Sequence, residues 1–116
     1  MSKPKNPARR SKVSSSEARL KEKIGEWLTA NHFFFRRFAG TVFTRAGVPD
    51  FFILLADGRA CWIEVKRPGR YRDPVAGCAK DSPAQFRFIV AVNAGGGLGL
   101  IVDSLDAVVE ALRTPA

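Results

Sequence analysis

The sequence GVPDFFILLADGRACWIEVK, residues 47–66, predicts two adjacent strands joined by a tight turn. Residues 51–55 and 61–65 are nearly continuous apolar runs, which is typical of strands buried on both faces of a sheet. The Asp57-Gly58 pair between the two runs predicts a hairpin turn. The stretch therefore predicts the centre of a β-sheet.

Three charged side chains are predicted to meet at one end of this hairpin. Glu64 and Lys66 project from the same side of their strand, because successive side chains alternate faces, and the turn brings Asp50 back toward Glu64. Carboxylates are hard oxygen ligands for Mg²⁺ or Mn²⁺, and an amine beside them can hold a water or a scissile phosphate. The set fits a metal-dependent nuclease.

A less specific interpretation of the same residues is a solvated Glu-x-Lys pair and a Pro-Asp turn, and each motif taken alone favours it. Together the motifs flank two buried strands in the order that a nuclease site needs. Charges placed among such strands need a reason, because burying an unpaired charge is costly. The combination therefore favours the catalytic interpretation.

Composition predicts one basic domain. The 116 residues suffice for a single core. The net charge of +8 and the pI of about 10.2 indicate a polyanionic partner, with nucleic acid the first candidate. Two Cys and one His cannot form a disulfide framework or a Cys/His zinc site. No apolar run approaches the roughly 18 residues of a membrane span, and the N-terminus lacks a secretory h-region, so we expect a cytoplasmic protein.

The chain divides into a basic tail, predicted to be disordered over residues 1–14, and a globular domain over residues 15–114. The predicted elements are, in order, a helix from the Ser14-Ser15-Ser16 run to about Asn31, one or two aromatic strands within residues 33–43, strands at about residues 50–55 and 60–66, a loop from Arg67 to Asp81, a helix from Ser82 and Pro83 to about Asn93, a strand at residues 98–102 and a last helix from Asp103 or Ser104. The order αβββαβα predicts an α/β fold with a mixed four-stranded sheet flanked by helices.

Two further features argue against other chemistries. The glycine cluster at residues 95–99 follows a helix and precedes a strand, whereas phosphate-binding loops follow a strand and open a helix. His32 has no Ser or Cys nucleophile in a recognisable pattern with it, and we expect it to cap the end of the first helix.

Two more polar residues are candidates for the site. Gln85 shares a helix face with Phe88 and Ile89, which predicts that it faces the sheet, although a polar residue in the first turn of a helix is equally ordinary. Glu17 lies on the same helical line as Leu20, and its alternative role is to favour the dipole of its helix.

The four motifs in this order, an acid in the first helix, G-x-P-D, E-V-K and S-P-x-Q, resemble the VRR-NUC nuclease domain. This branch of the PD-(D/E)xK superfamily has the restriction-endonuclease-like fold, and the resemblance covers residues 17 to 112. It implies catalytic roles for Asp50, Glu64, Lys66 and Gln85. It also implies a metal site formed by Asp50, Glu64, the Val65 carbonyl and Glu17.

The resemblance also implies a Mg²⁺ or Mn²⁺ cofactor and a DNA substrate. Arg45 occupies a place where such domains often carry a basic residue, and the loop with Arg67, Arg70 and Arg72 is expected to follow the DNA backbone. The chain resembles the small stand-alone phage and bacterial members, for which the resemblance implies a homodimer acting on branched DNA of the Holliday-junction type. A flap or nicking nuclease, an RNA nuclease, and a noncatalytic nucleic-acid-binding module are the alternatives.

Overall fold

The computed structural model describes residues 5–38 and 47–113. Within them the chain forms α1 (Lys5–Ala30), β1 (Phe34–Arg37), β2 (Phe51–Leu54), β3 (Ala60–Val65), α2 (Pro74–Asp81), α3 (Pro83–Ala94), β4 (Leu98–Val102) and α4 (Leu105–Arg113). The predicted α/β fold with a mixed four-stranded sheet is confirmed. None of the described helices is long and apolar enough to cross a bilayer.

The sheet has the order β1-β2-β3-β4. β1 and β3 both run antiparallel to β2, and β4 runs parallel to β3 after the helical crossover. The predicted turn at Asp57-Gly58 is present: Gly58 has a φ of 91°, and the Asp57 carboxylate accepts hydrogen bonds from the backbone N–H of Arg59 at 3.0 Å and from its Nε at 2.8 Å. Because Phe51 pairs with Ile63, the residue before β2 lies beside the carboxyl end of β3.

Helices cover both faces of the sheet. α1 and α4 pack together over one face, and α2 and α3 pack together over the other. Leu20, Ile24 and Leu28 of α1 are buried against the sheet in one core cluster, and full burial of such a side chain contributes about 1.5–3 kcal/mol. On the opposite face the Trp62 ring contacts the Phe88 ring of α3, with ring centroids 4.8 Å apart.

Helix α1 begins and ends with recognisable local signals. It begins at Lys5 and so includes most of the segment predicted to be disordered; Pro7 lies in its first turn, where a missing N–H breaks no intrahelical hydrogen bond. At its end His32 has a φ of 62° and donates its N–H to the Thr29 carbonyl, while the Phe33 N–H donates to the Leu28 carbonyl, both at 3.0 Å. This is a Schellman motif, and the prediction that His32 caps the helix is confirmed. The domain boundary at residue 15 stays a prediction.

The prediction of an uninterrupted loop from Arg67 to Asp81 is wrong, because α2 occupies its second half. Asp73 is the N-cap and accepts hydrogen bonds from the backbone N–H groups of Val75 and Ala76, and Pro74 stands where its fixed φ suits a helix start. In the sequence, Pro74 and Gly77 are equally typical of a loop, which is why the helix is not predicted. Of the predicted aromatic strand, β1 covers residues 34–37, and residues 39–46 lie outside the described ones.

Candidate active site

The loop before β2 delivers Asp50 to the end of β3. Gly47 has a φ of 94°, and a Cβ there would lie 3.0 Å from the Ala84 Cβ, so this position favours glycine on both counts. Pro49 is fully buried beside it. The Asp50 Oδ2 then accepts a hydrogen bond from the Val65 backbone N–H at 2.8 Å. The G-V-P-D segment therefore fixes one carboxylate against the strand that carries Glu64.

Glu64 and Lys66 lie on the same side of their strand, as the sequence predicts. The Lys66 Nζ is 3.3 Å from the Glu64 Oε2, and both side chains are largely buried. The Lys66 Nζ also donates a hydrogen bond to the Ser82 Oγ at 2.8 Å. Ser82 occupies the N-cap position of α3, but its hydroxyl makes no capping hydrogen bond. The Ser82 hydroxyl therefore positions Lys66 instead of capping the N-terminus of α3.

The pKa of Glu64 is raised to about 7. Burial is the largest cause, and the negative charge of Asp50 adds to it, whereas Lys66 and Lys21 act in the opposite direction. The Asp50 and Glu64 carboxylates are therefore near enough to repel each other in a dry environment. A divalent cation relieves such repulsion, and hard carboxylate oxygens are its preferred ligands.

Lys21 connects the remaining predicted acid to the site. Its Nζ lies 3.0 Å from the Asp50 Oδ1 and 3.2 Å from the Glu17 Oε2. Burial lowers the pKa of Lys21, but the two carboxylates outweigh it and leave that pKa raised. Lys21 is not among the residues predicted for the site, although its i, i+4 spacing from Glu17 is a usable signal. Glu17 itself reaches Asp50 only through this ammonium, and its side chain is 40% exposed.

Apart from the loop arginines, the remaining predicted site residues are Gln85, the Val65 carbonyl and Arg45. Gln85 is half-buried in the first turn of α3, three residues after Ser82. The Val65 carbonyl stays a predicted metal ligand, and Arg45 lies outside the described residues. Within residues 5–38 and 47–113 no three His, Cys, Asp or Glu side chains form one metal-binding group. Asp50 and Glu64 are the acidic pair that suits a hard divalent cation.

The basic loop after Lys66 is fastened to α2. The Tyr71 hydroxyl donates a hydrogen bond to the Asp81 Oδ2 at 2.6 Å, and the Tyr71 ring packs against Gly77, where a Cβ would overlap it. The Arg70 guanidinium lies over the Tyr71 ring and 3.9 Å from the Asp81 carboxylate. Arg72 is exposed and makes no ion pair with any other described residue. Arg67 accepts a backbone hydrogen bond from Arg70.

A second basic surface lies beside this loop. Arg19 and Lys23 of α1, together with Pro68 of the loop, line a cleft of about 220 Å³. Both cations lie one turn apart on the helix that also carries Glu17 and Lys21. Arg19 and Lys23 are not among the predicted binding residues, because solvent-facing charges on a helix have no periodic pattern that identifies a binding surface.

Comparison with known proteins finds one informative match in fold. No protein-family model matches the chain, and no curated protein is significantly similar to it. A solved structure titled "VRR_NUC domain" superposes with a TM-score of 0.64 at 21% sequence identity, covering 87% of this chain and 98% of that one. The predicted VRR-NUC fold, with its restriction-endonuclease-like core, is confirmed.

Proposed function

We propose that the protein is a metal-dependent DNA endonuclease with its active site at Asp50, Glu64 and Lys66. The observation that carries the proposal is the meeting of two mutually repelling carboxylates and a held ammonium at the carboxyl end of β3. Each acid has its own ammonium partner, yet burial and the Asp50 charge still raise the pKa of Glu64. A carboxylate perturbed in this way, beside a second carboxylate, indicates a functional rather than a purely structural role. The VRR-NUC fold supports the same assignment.

In this proposal Asp50 and Glu64 hold Mg²⁺ or Mn²⁺, with the Val65 carbonyl and Glu17 as further candidates. When bound, the cation polarises a phosphate oxygen and acidifies a water. Lys66 is kept in place by Glu64 and Ser82, so its ammonium can orient the attacking water or stabilise charge on the phosphoryl group. Water attacks phosphorus, one P–O bond breaks, and no bond to the protein forms.

Basic groups on α1 and on the loop that leaves β3 support a nucleic-acid substrate. Arg72 extends from the loop that leaves β3, and Arg19 and Lys23 line the cleft between that loop and α1. A polyanionic backbone that lies along the loop and the cleft would meet both sets of charges, which are part of the net charge of +8. Backbone contacts of this kind carry no base specificity.

Selectivity for branched DNA and a homodimeric state are finer parts of the proposal. Resolving a junction requires two sites related by a two-fold axis, because each site cuts one strand at a time. The aromatic stretch at residues 33–38 is one candidate for the dimer interface, but Phe33, Phe35 and Phe38 each contact a ring within the chain. Phe34 is 52% exposed and pairs across the strands with Leu54, also about half exposed. This apolar pair lies at the end of β1 and β2 away from Asp50, and it supports an interface that leaves the site open.

The test is cleavage of a panel of duplex, flap, fork and four-way junction DNA by the purified chain with Mg²⁺ or Mn²⁺, with the Glu64→Gln variant as control. Cleavage by the parent chain but not by Glu64→Gln supports the endonuclease. The DNA structure that is cut fastest then distinguishes a junction-cutting enzyme from a flap nuclease. Binding without cutting would favour the noncatalytic module. Light scattering of the parent chain and of Phe34→Ser tests the dimer, which the substitution should weaken.

A further inference from the structure

We infer that Lys21 is an internal competitor for the divalent cation, and that it sets how weakly the site binds that cation. The inference rests on the proposed function, because it takes Asp50 to be a cation ligand. Its basis is the position of the Lys21 Nζ, which lies within ion-pair distance of both Asp50 and Glu17.

Both carboxylate oxygens of Asp50 already have a partner. Its Oδ2 accepts the Val65 N–H at 2.8 Å, and its Oδ1 lies 3.0 Å from the Lys21 Nζ. A cation that approaches the outer oxygen must displace the ammonium or share the oxygen with it. Two positive charges on one oxygen a few ångströms apart repel strongly in a partly buried place. Lys21 therefore opposes cation binding as long as it stays on Asp50.

Lys66 differs from Lys21 in what holds it. The Lys66 Nζ has a neutral partner, the Ser82 Oγ at 2.8 Å, besides the Glu64 carboxylate. Lys21 is held by the carboxylates of Asp50 and Glu17. A cation at Asp50 and Glu64 can leave Lys66 on Ser82, whereas Lys21 would keep only the partly exposed Glu17 carboxylate as its partner. The contact that cation binding mainly disrupts is therefore the ion pair between Lys21 and Asp50.

The experiment measures Mn²⁺ binding to the DNA-free protein by isothermal titration calorimetry. Lys21→Met should bind Mn²⁺ roughly tenfold more tightly than the parent chain, because one opposing charge is removed. Lys21→Arg keeps the charge and should stay near the parent affinity. Lys23→Met is the matched control: it removes a lysine from the same helix, two residues away, and should change the Mn²⁺ affinity little.

A second readout covers the fold. Lys21→Met leaves the Asp50 and Glu64 carboxylates less compensated, so the melting temperature without metal should fall, and Mn²⁺ should raise it by more than in the parent chain. If Lys21→Met does not fold, Lys21→Gln serves in its place. Parent-like or weaker Mn²⁺ affinity in a folded Lys21→Met or Lys21→Gln chain would overturn the inference while leaving the proposed function standing. Absence of Mn²⁺ binding by the parent chain would overturn the inference together with the metal site of the proposed function.

Discussion

The Asp50 carboxylate is hydrogen-bonded to the backbone of Val65, with 2.8 Å between Oδ2 and the amide nitrogen. This contact joins the loop before β2 to the end of β3, next to Glu64. One oxygen of Asp50 is thereby used to position the side chain and the other is left to an ion pair. The arrangement of the acids is therefore a property of the strand pairing as well as of side-chain rotamers.

The Val65 contact predicts a difference between two substitutions of Asp50. Asp50→Ala removes the acceptor and leaves a part-buried N–H without its partner, which costs roughly 1–3 kcal/mol. Asp50→Asn keeps an oxygen that can accept from Val65, so it should lose less unfolding free energy. Urea denaturation of both variants measures the difference. Equal stability of the two variants would show that the hydrogen bond does not hold the loop.

The raised pKa of Glu64 predicts that the metal-free protein becomes less stable as pH rises. A carboxyl with a pKa of about 7 in the folded state and an ordinary value near 4.5 when unfolded binds its proton more tightly in the folded state. That advantage is lost between about pH 4.5 and pH 7, and the free energy of unfolding should fall by roughly 1–3 kcal/mol.

Denaturation at several pH values with a chelator present checks this dependence. Glu64→Gln should flatten the profile and should be the more stable chain at pH 8. A parent profile that rises over the same window would mean that the paired lysines outweigh burial and the Asp50 charge.

Two glycines predict opposite effects of a single methyl group. In Gly77→Ala the new Cβ would overlap the Tyr71 ring, so Tyr71 must leave α2 and the unfolding free energy should fall by roughly 1–3 kcal/mol. In Gly25→Ala nothing lies within 4 Å of the new Cβ, and alanine favours the helix by up to about 1 kcal/mol. Thermal melts of both variants test the pair. If Gly77→Ala has the unfolding free energy of the parent chain, the packing of Tyr71 against α2 does not hold the basic loop in place.

Arg72, an exposed cation of the basic loop with no ion-pair partner among the described residues, predicts a salt-dependent contribution to DNA binding. Arg72→Ala should weaken binding to all DNA sequences alike and reduce the log-log salt slope by about one unit. Arg70→Ala should have a smaller effect, because Arg70 already pairs with Asp81. Arg59→Ala, which removes a charge at the hairpin turn at the other end of the sheet, is the control. If Arg72→Ala binds DNA with the same affinity and salt slope as Arg59→Ala, the basic loop does not contact the DNA backbone.

Much of this molecule could be predicted from its sequence because hydrophobic pattern and turn chemistry agree. The apolar runs around Asp57-Gly58 determine the hairpin, and the strict alternation of side chains places Glu64 and Lys66 together. The position of Asp50 follows from the strand register. These are short-range rules, and each acts within a stretch of about twenty residues.

The features that the sequence did not predict depend on long-range contacts or on ambiguous residues. Pro74 and Gly77 occur as readily in loops as in helices, and only the Asp73 cap and the packing of Tyr71 decide for α2. Lys21 on Asp50 and Ser82 on Lys66 join segments far apart in the chain. The i, i+4 spacing joins Lys21 to Glu17, but no local pattern joins Lys21 to Asp50 or Ser82 to Lys66.

The central claim is that Asp50, Glu64 and Lys66 form a cation-dependent phosphodiesterase site. The most direct test is cleavage of the best DNA of the panel with Mn²⁺ by the parent chain, Asp50→Asn, Glu64→Gln and Lys66→Ala, each first shown to be folded by circular dichroism. The account predicts cation-dependent cutting by the parent chain and a loss of roughly 100-fold or more in each variant. Any folded variant that cuts at the parent rate with the same cation requirement would contradict it.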